Sequence, residues 1–322
     1  MRLGLIGAVI AFAACGRIGF TATGGVGDDA GDDAGGSNTD ATPACATTGW
    51  GNFVHQTNLA SSSEDWEPTL SPDGLNIIFS SDRNAGSHLY FATRSTIDGA
   101  FGVPTQLMQI TSADGEYAPQ WSRDGTQLYW HHHAADFIFH YERVGIASVG
   151  ATISLDLASR VELGQTTDRD SFTTIADERE VFYTLGKPSR KDIGWSTKPT
   201  NGSPFSTYSE QTLPSTFNGT VAAFDDGWPT FDDTRQELWW ERDDASAGTT
   251  ALGPRILSAT RSGGGMPFDS AVVEHPELGI AGDPDVDADG LALALSADMT
   301  QPPAGLPNVG QSDIYTATRT CR

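Results

Sequence analysis

Positive charge is the chain's clearest shortage. Its 322 residues hold 19 Lys and Arg against 42 Asp and Glu, a formal net charge of -23. A surface this acidic repels nucleic acid and anionic membranes, so neither is expected as a partner. No G-x-S-x-G occurs, which leaves no elbow for a nucleophilic serine. The apolar stretch Leu3 to Ala14 is too short to cross a bilayer as a helix, which takes about 20 residues. Cysteine is scarce, with three in all, and none lies near the histidines, so no thiolate zinc set is available there. What is plentiful is material for a core: 38% of residues are hydrophobic and 9% aromatic, enough to exclude disorder for most of the chain. The 36 Gly and 17 Pro imply many turns.

One phrase recurs between Asp65 and Arg319. It reads Pro68-Thr-Leu-Ser71-Pro-Asp73-Gly74 running to Phe79, then Pro119-Gln-Trp-Ser122-Arg-Asp124-Gly125 running to Trp130. It returns from Pro229 to Trp240 and from Pro284 to Leu295, with a degraded copy from Asp170 to Thr184. Each copy reads as a strand, a turn and a second, apolar strand. Asp-Gly at 73–74, 124–125 and 289–290 is a hairpin signal, because Gly accepts the positive φ of a tight turn. A third strand follows: His88 to Arg94, Arg143 to Ser148, Asp192 to Lys198, Arg255 to Arg261 and Asp313 to Arg319. Weaker outer strands are expected at Phe101–Leu107, Ile153–Leu163, Phe205–Leu213 and Phe268–Val273. A repeat of roughly 50 residues made of short strands predicts a propeller.

The pattern, Ser71-Pro-Asp-Gly74 above all, resembles the WD40-like PD40 repeats of TolB-type propellers, over about residues 50–320. That resemblance implies an exported all-β protein that docks partner proteins. The Ser-x-Asp-Gly phrase is a turn and lacks the extra residue of the sialidase Asp-box. Five inner phrases but four trailing outer strands are visible, so a five-bladed propeller is expected, with six blades as the alternative. Asn52–Leu59 is the orphan outer strand that would complete the fifth blade and remove an exposed edge. That antiparallel pairing brings Cys45 near Cys321, and a disulfide between them is expected, stabilising by about 4–5 kcal/mol through loop closure.

The N-terminus carries an address. Residues 1–14 read as a signal peptide, and Ala13-Ala14-Cys15 resembles a bacterial lipobox, implying lipidation of Cys15. Gly16 after it leans towards the outer membrane, with the domain periplasmic or at the cell surface. Residues 15–45, rich in Gly and Asp, bury nothing and read as a disordered acidic tether. Residues 46–322 form the propeller. A monomer is expected, touching the membrane through its lipid alone.

Candidate sites divide between function and fold. Asp65, Glu116 and Asp226 lie three residues before the recurring Pro, with Asp170 aligned to them in the third unit and Ala281 breaking the series. They could ring a channel and act as acid, base or nucleophile on a sugar; the plainer reading, favoured here, is that each caps its own loop. Asp285, Asp287 and Asp289 open like a calcium loop, but Ser296 stands where the closing Glu belongs, and hairpin chemistry is favoured over Ca²⁺. In the run His131-His132-His133 with His140, alternation puts His131 and His133 on one face, with Asp136 as the nearby acid. Trp50, Trp66 and Trp228 stand at strand starts and could stack on a sugar. The expected function is a non-enzymatic scaffold tethered to the cell envelope with a protein partner and no required cofactor. The alternative is a carbohydrate-active enzyme, glycosidase or lyase.

Overall fold

The computed structural model describes residues 49–133, 138–166, 169–174, 180–187, 190–197, 209–212, 225–232, 235–243, 253–262, 268, 271–297 and 312–319. The expected signal segment, tether and Cys45–Cys321 disulfide lie outside these residues, as do Cys15 and the third unit's turn.

After β1 (Gly51–His55), the first sheet joins β2 (Asp65–Leu70), β3 (Asn76–Ser81), β4 (His88–Thr93) and β5 (Thr105–Gln106) in sequence order. The second joins β6 (Glu116–Trp121), β7 (Gln127–His133), β8 (Phe139–Val149) and β9 (Ile153–Thr166). The third joins β10 (Arg169–Thr174), β11 (Glu180–Lys187), β12 (Arg190–Thr197) and β13 (Ser209–Thr212). The fourth joins β14 (Asp225–Asp232), β15 (Glu237–Asp243), β16 (Arg255–Thr260) and β17 (Val273–Glu274). The fifth runs β18 (Gly282–Val286), β19 (Ala292–Ala297), β20 (Asp313–Thr318), and takes β1 as its outer strand. Every pair is antiparallel. Each sheet packs on the next, and the fifth packs back on the first. The architecture is all-β and propeller-like.

Local chemistry explains the hairpins. In the first sheet the Ser71 hydroxyl donates to Asp73 (2.5 Å) and accepts from the Asn76 N–H (2.9 Å), while Gly74 turns with φ 64°. Ser122 and Asp124 repeat this in the second sheet, with Gly125 at φ 75°. In the first and fifth sheets the Arg that ends the third-strand phrase ties the turn down: Arg94 donates to the Gly74 carbonyl and Arg319 to the Gly290 carbonyl. Both guanidiniums are buried over aromatic rings, Arg94 on Phe101 (4.5 Å) and Arg319 on Trp50 (4.5 Å). Arg261 instead grips Glu180 of the neighbouring sheet with two nitrogens, at 2.6 and 2.9 Å.

The core lies between sheets. Trp130, Trp239 and Trp240 are fully buried, as are Phe79, Phe182 and Phe231, and each apolar cluster draws on adjacent sheets. The outer strands depart most from expectation. β5 and β17 have two residues each, against fourteen in β9. Their neighbours face solvent (Val103 is 82% exposed), so little burial rewards longer pairing there.

Candidate functional site

The innermost strands share an irregularity that governs what faces the centre. Pairing in the first, second, fourth and fifth sheets slips just where the recurring Pro stands: between Trp66 and Thr69, Tyr117 and Gln120, Gly227 and Thr230, and Gly282 and Asp285. These are β-bulges, which re-aim side chains at the cost of ladder bonds. The residue before each Pro takes a left-handed backbone: Glu67 (φ 51°), Ala118 (45°), Trp228 (50°) and Asp283 (49°). None is glycine, and this conformation costs an ordinary residue about 1–2 kcal/mol. Strain repeated at one structural position is a sign of function.

Four hydrogen bonds hold the strained residues in a circuit. The Ala118 N–H donates to Glu67 (2.6 Å), the Glu67 N–H to Asp283 (3.3 Å) and the Asp283 N–H to Glu241 (3.3 Å). The Trp228 N–H donates to Thr184 Oγ1 (2.8 Å). Each bond crosses from one sheet to its neighbour. Glu67 further accepts from the Ser80 hydroxyl (2.9 Å) and the Trp228 indole (3.3 Å), and Asp283 from the Ser296 hydroxyl (2.6 Å). The Lys191 ammonium sits 4.0 Å over the Trp228 ring. Burial, and secondarily Asp283, push the Glu241 carboxyl well above the usual carboxylate range.

Asp285, on the fifth sheet, takes donors from three other sheets. It accepts from the Leu70 N–H (2.7 Å), Thr69 (3.3 Å), Thr230 (2.8 Å) and Gln120 (3.4 Å). Burial raises its pKa, and Arg123 works against that rise. Arg123 reaches from the β6–β7 turn to the carbonyls of Phe231 (2.8 Å) and Val286, spanning to the fourth and fifth sheets.

Glu67, Ala118, Trp228, Asp283, Asp285 and the four recurring prolines line a cavity of about 30 Å³. That is room for a water molecule or two. Small-molecule pockets are roughly ten times larger. Trp228 and Asp285 were singled out in the sequence for other reasons, but Glu67, Ala118 and Asp283 were missed because they share no chemistry; the signal was positional, the residue before each repeated Pro.

The acids three residues before that Pro sit elsewhere. Asp65, Glu116 and Asp226 are buried and do not line the cavity. Asp65 accepts from Arg83 (2.5 Å) and the Ser61 N–H (2.8 Å). Glu116 accepts from His88 (2.8 Å) and the Ser112 N–H (2.5 Å). Asp226 accepts from Arg242 (2.7 Å) and the Trp240 indole (3.1 Å), and burial raises its pKa. Pairing corrects the third unit: Arg169, opposite Leu185, lies level with this series, and Asp170 falls one position later, opposite Thr184.

The three aspartates of the calcium-like loop do not converge. Asp285 faces the centre, Asp287 caps its own turn through the Leu291 and Ala292 N–H groups (2.8 and 3.0 Å), and Asp289 is exposed. Burial brings Asp287 up to about 6. Among the described residues no three His, Cys, Asp or Glu side chains are grouped to hold a metal ion. In the histidine run, His131 stacks on Tyr117 (5.7 Å) while His132 stacks on His140 (4.9 Å). Glu142 and Glu162 are the acids beside them, at 3.0 Å from His132 and 3.1 Å from His140; Asp136 lies outside the described residues. Burial raises Glu142, but hydrogen bonds from Arg160 and His132 outweigh it and bring its pKa to about 2. Trp50 is buried in the core, and Trp66 and Trp228 are half-buried.

No family model and no curated protein sequence matches this chain. Solved structures do. The catalytic domain of the Coprinopsis cinerea GH62 α-L-arabinofuranosidase is 11% identical with a TM-score of 0.51, over 80% of this chain and 91% of that one. Zg3597, a family 117 glycoside hydrolase of Zobellia galactanivorans, is 9% identical with a TM-score of 0.50, over 86% and 91%. TolB from Acinetobacter baumannii is 14% identical with a TM-score of 0.48, over 82% of this chain, which spans 57% of that protein. At such identities the glycoside hydrolase likenesses show the fold alone.

Proposed function

We propose that the five four-stranded sheets are the blades of a five-bladed, PD40-type propeller, tethered to the envelope by a lipid on Cys15. In this reading it is a non-enzymatic scaffold that docks a protein partner over the centre of the ring. The observation that carries it is the cavity of about 30 Å³. It is too small for a sugar ring, and its carboxylates already serve as acceptors in the circuit between sheets. Strained backbone at one position on four adjoining blades suits a surface that a partner covers.

The second reading, a carbohydrate-active enzyme, draws on Glu67, which accepts from the Trp228 indole, and on Asp283, which lines the same cavity. Crosslinking pull-down from envelope fractions separates the two. The scaffold reading expects a specific protein adduct that Glu67→Ala loses. Sugar release from a polysaccharide panel that depends on Glu67 or Asp283 would replace it with the enzyme.

A further inference from the structure

The ring closes where β1 lies against β20, and this seam carries polar atoms that no other contact uses. His55 pairs with Tyr315 across the two strands. Asp313 stands two residues before Tyr315 on β20, so all three side chains share one face. His55 Nε2 lies 3.0 Å from Asp313 Oδ2, and the imidazole stacks on the Tyr315 ring at 4.7 Å. Two oxygens are left over. Asp313 Oδ1 and the Tyr315 hydroxyl are buried without a hydrogen-bond partner, in residues only 2% and 0% exposed. A carboxylate oxygen and a phenol orphaned inside a protein are costly, and such atoms mark a bound water or ion. Asp65 and Glu64 add negative potential at Asp313, which disfavours an anion.

We propose that His55, Asp313 and Tyr315 bind a divalent transition-metal ion of the Zn²⁺ class, which clasps the first strand of the ring to the last. Imidazole nitrogen and carboxylate oxygen are the donors such ions take. A tetrahedral ion lies about 2.0–2.1 Å from each donor, which sets two ligands roughly 3.3 Å apart. The His55–Asp313 pair, at 3.0 Å, need open by only a few tenths of an ångström. The ion takes the place of the hydrogen bond between these two side chains. The third donor is a phenol oxygen rather than another imidazole or carboxylate.

The test is Zn²⁺ and Co²⁺ titration of the full-length chain, stripped with a chelator and with its thiols blocked. A single equivalent of Zn²⁺ is expected to bind and raise the thermal midpoint by several degrees, as a ligand of the folded state must. Co²⁺ should give the visible bands of a tetrahedral site. His55→Gln and Asp313→Asn should each weaken binding by more than about a hundredfold, beyond the roughly 10–100-fold that loss of an outer-shell contact costs. Tyr315→Phe should weaken it less, and His132→Ala should leave it unchanged. Binding that survives in His55→Gln, or that is lost in His132→Ala instead, overturns the proposal. So does a stripped wild-type chain whose midpoint ignores added Zn²⁺, a result that needs no variant to fold and that would leave the orphaned oxygens to water.

Discussion

Two rings of residues run around the same strands, and they teach opposite things. The ring at the strand starts (Asp65, Glu116 and Asp226) is chemically uniform, yet each acid is buried and spent on partners close by. The ring at the bulges (Glu67, Ala118, Trp228 and Asp283) is chemically mixed, yet all four share one strained backbone and one cavity. Uniformity here marks a local support that three of the sheets reuse. Variety at a repeated position marks what the assembled ring presents.

Substitution should separate the rings, beginning where the effect is greatest. Asp226→Ala removes a buried carboxylate that accepts from Arg242 and the Trp240 indole, and should cost about 3–5 kcal/mol in urea unfolding. Glu67→Ala removes acceptors for three neutral donors; it should cost about 1–3 kcal/mol, while abolishing partner capture. Equal losses in both rings would erase the distinction.

Glu241→Gln tests the circuit by pH. A carboxyl whose pKa is raised by burial holds its proton better folded than unfolded. Its contribution to stability is therefore present below the ordinary carboxylate range and lost as pH climbs towards its raised value. The variant should gain on wild type more at about pH 8 than at about pH 5, read as the difference in thermal midpoints. A constant difference would mean that Glu241 is not buried as a carboxyl. Ala118→Gly should have the smallest effect, within about 1 kcal/mol, because relief of the left-handed strain offsets the added chain entropy. The same change at Ala294, in the middle of β19, lacks that relief and should destabilise.

Much of the fold could be read in advance because its determinants are local. Asp73-Gly74 and Asp124-Gly125 make their turns with their own neighbours, and the orphan strand announced itself by a missing partner. The site was harder. Nothing in Glu67, Ala118, Trp228 or Asp283 taken singly signals a positive φ; the bulge that imposes it is a property of pairing. Without a Pro in the third unit, Asp170 was set level with acids that the register matches to Arg169. Glu142 reaches His132 only because β8 folds beside β7, and Glu162 reaches His140 only because β9 folds beside β8.

The central claim, that the bulge ring is the surface a partner covers, is tested most directly by a photo-crosslinking residue placed in intact cells. Position 228 on the bulge ring is compared with position 157, an exposed site on the outer strand β9. The account predicts a discrete protein adduct from 228 and none from 157. No adduct from 228, or the same adduct from both, would contradict it.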